Sequence, residues 1–141
     1  MEMTATNRPM SNLIRALIAF NALALFGNGI FMLVAPEQWY FLVPGVKETG
    51  GFNQHFIRDI GIIQAFLGAA FAIGMVRPAN RVVLWGVSTL WLIAHAIFHF
   101  WEVAVGICAP SALARDFLGV TAPALVGIAL TTWAWRNPPP R

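Results

Sequence analysis

The chain has 141 residues, of which 58% are hydrophobic and only 11% charged, with a formal net charge of +3. A soluble domain this small has a large surface to cover and carries about 25% charged residues, so the composition argues against a soluble enzyme core and against a disordered tail. It points instead to a single integral membrane domain over residues 1–141, with the lipid bilayer as its first partner. The nine Lys and Arg residues are scattered singly, which removes the basic groove that nucleic acid binding needs. A single cysteine, Cys108, leaves no internal disulfide and no CxxC metal or redox pair. An intermolecular disulfide and a plain unreactive thiol near a helix end both stay open for it.

In chain order, residues Met1 to Ser11 are too polar and too short for a signal peptide. The first apolar stretch, 12–35, is therefore expected to be retained as a span. Arg15 lies close enough to its start to reach the headgroups, and Ala35-Pro36 is a normal helix stop. Residues 36–55 hold Trp39-Tyr40-Phe41, Val43-Pro44-Gly45 and Thr49-Gly50-Gly51, a pattern that reads as a short interfacial segment followed by a glycine turn. Further spans are expected near 57–76, 82–107 and 117–135, each long enough to cross a hydrocarbon core that takes about 20 helical residues. The second and third are joined by the tight turn Arg77-Pro78-Ala79-Asn80-Arg81, and Pro138-Pro139-Pro140 ends the fourth. The fold class is all-α, a four-helix transmembrane bundle.

Charge orients it. The termini and the 77–81 turn carry Arg8, Arg15, Arg77, Arg81, Arg136 and Arg141 against Glu2 alone; the other side has Lys47, Arg58 and Arg115 with the remaining five acids. The positive-inside rule then places both termini in the cytoplasm. Small residues at every fourth position, Gly61, Ala65 and Ala69 in the second span and Gly119, Pro123 and Gly127 in the fourth, predict close helix packing within the chain or between copies. Trp39 and Trp101 outside, and Trp85, Trp133 and Trp135 inside, read as interfacial belt residues.

Ionisable residues inside spans are costly and mark functional candidates. In the third span Ser88, Trp91, His95, His99 and Glu102 fall on one polar stripe at about 100° per residue. The second span opens at the same side with Asn53-Gln54-His55-Phe56-Ile57-Arg58-Asp59, where His55 and Asp59 share a face at i, i+4. Arg58 is placed to pair with Asp59 or Glu102, and Asn28 of the first span lies at a comparable depth. The expectation is one outward-facing pocket of His55, Asp59, His95, His99 and Glu102. Imidazoles at i, i+4 with a carboxylate one turn on suit a transition metal such as zinc, iron or copper. Haem would need a second axial donor from another helix or subunit. A small ligand, a proton-titrating network and a plain structural network use the same residues.

Val43-Pro44-Gly45, the run from Asn53 to Gly61 and a His-containing third span together resemble small bacterial four-helix membrane proteins of the DoxX-like kind. That resemblance covers most of the chain. It implies a multi-pass protein of the bacterial inner membrane, sometimes associated with redox partners, and supplies no catalytic residues. Two function classes follow: a protein whose His/carboxylate pocket binds a metal or small ligand, or a non-catalytic accessory subunit whose faces dock a homo-oligomer or a larger membrane complex. No nucleophile–base–oxyanion set is visible, so no reaction is assigned.

Overall fold

The structure, a computed structural model, describes residues 10–139. Among these the order is α1 (Asn12–Val34), the short α2 (Pro36–Leu42), α3 (Gln54–Val76), α4 (Arg81–Ala104), the short α5 (Ser111–Arg115) and α6 (Ala122–Arg136), with no strand. Four helices, counting the single-turn extensions Pro78–Asn80 before α4 and Phe117–Thr121 before α6, are long and apolar enough to cross a membrane. Within each, under a third of the most apolar window is buried. The rest, including Leu23, Phe66, Leu90 and Trp135, points outward, as a lipid-facing surface does.

Capping decides where these helices begin and end. Ser11 caps α1 through Ile14. Asn53 accepts from the Phe56 N–H at 3.1 Å, so α3 starts at Gln54, three residues before the expected boundary. At the other extreme α4 stops at Ala104, short of the expected 107. There Gly106 takes φ +80°, and the N–H groups of Ile107 and Cys108 turn back to the Glu102 carbonyl at 2.8 and 3.2 Å. This is the left-handed glycine stop that closes many helices. Before α6 the chain makes a π-helical turn, Phe117–Thr121. Pro123 lacks an N–H and its ring crowds the carbonyl four residues back, which accounts for the wider turn ahead of it.

α1 packs chiefly on α3, α4 on α6, and α3 on α4. Of the expected small-residue positions, Gly61, Ala65 and Gly127 meet a neighbouring helix closely and Gly119 does not. Gly29 lies against Ala65 and Gly61, and Gly127 lies against Thr89 so closely that a Cβ would stand 2.6 Å from its hydroxyl. Gly119 has nothing within 4 Å. Between the four helices Ile18, Leu25, Leu67, Phe71, Trp85, Leu92 and Leu130 belong to one buried cluster.

Trp85 therefore corrects the belt expectation: it is fully buried, stacks on Phe71 and donates to the Phe71 carbonyl at 3.1 Å. Its position near the helix start matches a belt, but the rotation of α4 turns it inward. The buried Arg81 lies with its guanidinium 5.3 Å from both the Trp85 and the Trp133 rings. Trp135 is exposed as expected.

Candidate imidazole and carboxylate site

At the end of the bundle that carries the two long loops, the polar stripe of α4 meets residues from the α4–α6 connection. His99 Nδ1 stands 3.9 Å from Glu102 Oε2 and 3.8 Å from Asp116 Oδ2. One imidazole nitrogen thus faces two carboxylates at charge–charge range, beyond hydrogen-bond length. Glu102 is buried, at 8% exposure. One turn deeper, His95 is stacked on Trp91 at 4.9 Å and meets the His99 ring edge-on at 4.7 Å.

Asp116 is held in place by Arg115. The guanidinium donates from Nε to Asp116 Oδ1 at 2.8 Å and from Nη2 to Oδ2 at 3.1 Å, and from Nη1 to Glu48 Oε2 at 2.7 Å. Hydrogen bonds to Asp116 and then Glu48 push the Arg115 pKa well above its ordinary value. The same guanidinium lies over Gly45, whose φ of +85° and missing side chain both suit glycine. Arg115 therefore ties the first long loop, through Gly45 and Glu48, to the second. A small cavity of about 10 Å³ sits beneath, lined by His99, Val103, Cys108, Leu113, Asp116 and Thr121 among others. That is room for roughly one water molecule. Partial burial, and then the charge of Glu102, hold the Cys108 thiol above its ordinary range, with Asp116 and Glu48 adding to this and Arg115 opposing it.

The expected five-residue gathering is not formed. His55 and Asp59 do pair at i, i+4, with Nε2 and Oδ2 3.3 Å apart, but on an exposed face of α3, their side chains 89% and 54% accessible. Among the described residues no hydrogen bond or ion pair joins them to the His99 group. Nor do three or more His, Cys, Asp or Glu side chains converge so as to hold a metal ion. Arg58 pairs with neither Asp59 nor Glu102. It donates to the Leu33 carbonyl at 3.2 Å and to Gln54 at 3.1 Å, closing the end of α1. Asn28 accepts from the Trp39 indole at 2.8 Å, which fixes α2 against α1.

Sequence reasoning passed over Asp116, Arg115 and Asn21. The adjacent Arg115-Asp116 pair directly before a span was the available signal for the first two. Asn21 is fully buried in α1 and donates to the Pro123 carbonyl at 3.0 Å, an interhelical bond of a kind worth about 0.6–2 kcal/mol in a membrane. Comparison of the chain with protein-family models, with curated proteins and with solved structures finds no significant match.

Proposed function

We propose that this is a multi-pass protein of the bacterial inner membrane, both termini cytoplasmic, whose outward end carries a protonatable imidazole–carboxylate site. The observation that carries the reading is one His99 nitrogen set between Glu102 and Asp116 at nearly equal distance. With His99 neutral, the group of His99, Glu102, Asp116, Arg115 and Glu48 holds three carboxylates against one guanidinium. A proton or a small cation held among these groups offsets part of that excess. A cavity the size of one water molecule beside His99 favours a proton or a water-borne ion over an organic ligand. With one imidazole and one carboxylate free of Arg115, the donor set is short of the three or four a transition metal takes. The resemblance to DoxX-like proteins supports the location and the four-span plan.

Histidine-labelled protein in nanodiscs, followed by NMR, tests the site. The His99 ring signals are expected to change in Asp116→Asn and in Glu102→Gln, because each removes the charge of one of the two carboxylates facing Nδ1, while the His55 signals stay as they are. His99 signals indifferent to both substitutions overturn the reading. Reporters at the C-terminus and at Gly50 test the orientation and should land on the cytoplasmic and the outer side, respectively.

A further inference from the structure

On the lipid-facing side of the α4–α6 pair lies an open groove of about 350 Å³, lined by Gly86, Thr89, Leu90, Ile128, Thr131 and Thr132. Its floor is tied by the Thr89–Thr131 hydroxyl pair at 3.1 Å, so the two helices are joined there and the groove lies outside that bond. Gly86 opens it. A Cβ at Gly86 would meet only the Thr131 methyl, at an ordinary 3.7 Å. Glycine in a helix interior is less favourable than alanine, and close helix packing does not call for it here as it does at Gly29 or Gly127.

The groove has an end. Thr132 and Arg136 are one turn apart on the same face of α6, with the exposed Trp135 beside them. Arg77 stands at the turn leading into α4. Among the described residues this end of the bundle carries Arg15, Arg77, Arg81 and Arg136 and no Asp or Glu, while the described acids all lie toward the opposite end. A shallow, open groove between two helices, lined by Leu90, Ile128 and three threonines, with the exposed Arg136 one turn beyond Thr132 on α6, is complementary to one acyl chain with an anionic headgroup. A second copy of this chain laid along the groove in the same orientation brings an identical arginine end against this one, so like charges disfavour it.

We propose that this groove is a binding site for an anionic phospholipid, its acyl chain alongside Gly86 and its phosphate at Arg136. The inference is independent of the imidazole site, which lies at the other end of the bundle. Native mass spectrometry of the full chain, equilibrated with equimolar phosphatidylglycerol and phosphatidylcholine in mixed micelles, tests it. The wild-type protein is expected to retain phosphatidylglycerol in preference. Arg136→Gln is expected to lower the preference about fivefold, the effect of one basic residue near an anionic headgroup. Gly86→Leu is expected to reduce retention of both lipids, with an unchanged unfolding temperature showing that the bundle is intact. Arg136→Gln alters an exposed residue and keeps the test open if Gly86→Leu misfolds. Equal retention of the two lipids by the wild type, or retention indifferent to Arg136→Gln, overturns the proposal. So does a wild-type dimer that Gly86→Leu dissociates, which would make the occupant a second copy.

Discussion

Replacing Gly29 of α1 by alanine puts the new Cβ 2.5 Å from the Ala65 backbone nitrogen and 2.6 Å from the Gly61 carbonyl oxygen. Both obstacles are main-chain atoms of α3, so no change of rotamer relieves them. The helices have to part by about 1 Å to restore ordinary van der Waals spacing. Two residues earlier on the same helix, Gly27 has nothing within 4 Å of the place its Cβ would take. Alanine there is expected to stabilise by about 0.5–1 kcal/mol, since glycine is the poorer helix former. At Gly29 the same gain is set against overpacking of about 1–3 kcal/mol, and separation also loosens the contacts of Gly61 with Met32 and of Gly68 with Phe26. The expected net effect at Gly29 is a loss of about 1–2 kcal/mol, opposite in sign to Gly27. Thermal unfolding of both variants and the wild type in one mild detergent, followed by circular dichroism, measures the difference. If Gly29→Ala unfolds at or above the wild-type temperature, α1 and α3 are not packed backbone to backbone and the reasoning fails.

Arg115→Ala removes a bidentate pair with the largely buried Asp116 and a bridge to Glu48, whose side chain is 70% exposed. We expect it to cost about 1–2 kcal/mol, against about 0.5 kcal/mol or less for Glu48→Gln, because exposed pairs are screened; equal losses on unfolding would show that the Asp116 pair contributes nothing. Cys108, its thiol held above the ordinary range, should be alkylated by iodoacetamide at pH 8 more slowly than free cysteine, and Glu102→Gln should speed it. By linkage, the native state favours the protonated thiol: its contribution to stability is complete below the ordinary thiol pKa and is lost as pH rises through the raised one. Trp85→Phe removes the buried indole N–H bond to the Phe71 carbonyl and one face of the Arg81 stack. A loss of about 2 kcal/mol is expected on thermal unfolding, and a neutral result would place Trp85 outside the core.

The four spans were legible because a run of about 20 apolar residues has one stable arrangement in a bilayer, whatever its neighbours do. Their ends were less so, since single residues decide them: Asn53 starts α3 early and Gly106 stops α4 early. Contacts within one helix were readable from spacing. His55–Asp59 and the His95–His99 neighbours are both i, i+4. Contacts between a helix and a loop were not, because nothing periodic sets which loop residue returns over a helix end. Asp116 reaches His99, and Arg115 reaches Glu48 across 67 positions; the adjacent Arg115-Asp116 pair marks the residues but not what they meet. Helix rotation was equally hidden, and it alone separates the buried Trp85 from the exposed Trp135.

Glu102 was a site candidate by sequence and Arg81 a residue of the tight turn; both are buried, and their surroundings differ. Arg81 is buried with two of its nitrogens engaged: Nε gives to the Gly74 carbonyl at 3.0 Å and Nη2 to the Met75 carbonyl at 3.4 Å, and its guanidinium carbon lies 5.3 Å from the Trp85 and the Trp133 ring. It closes the last turn of α3, whose carbonyls have no helical partner of their own, and so holds the start of α4 against the end of α3. Glu102 is as deeply buried, yet its nearest cationic partner among the described residues is the His99 imidazole at 3.9 Å, too far for a hydrogen bond. A buried carboxylate left at that distance lacks the close partner that burial calls for. Arg81, beside the tight turn, is spent on holding two helices together. At the looped end Glu102 and Asp116 both face His99, and for that reason we propose the imidazole–carboxylate site there.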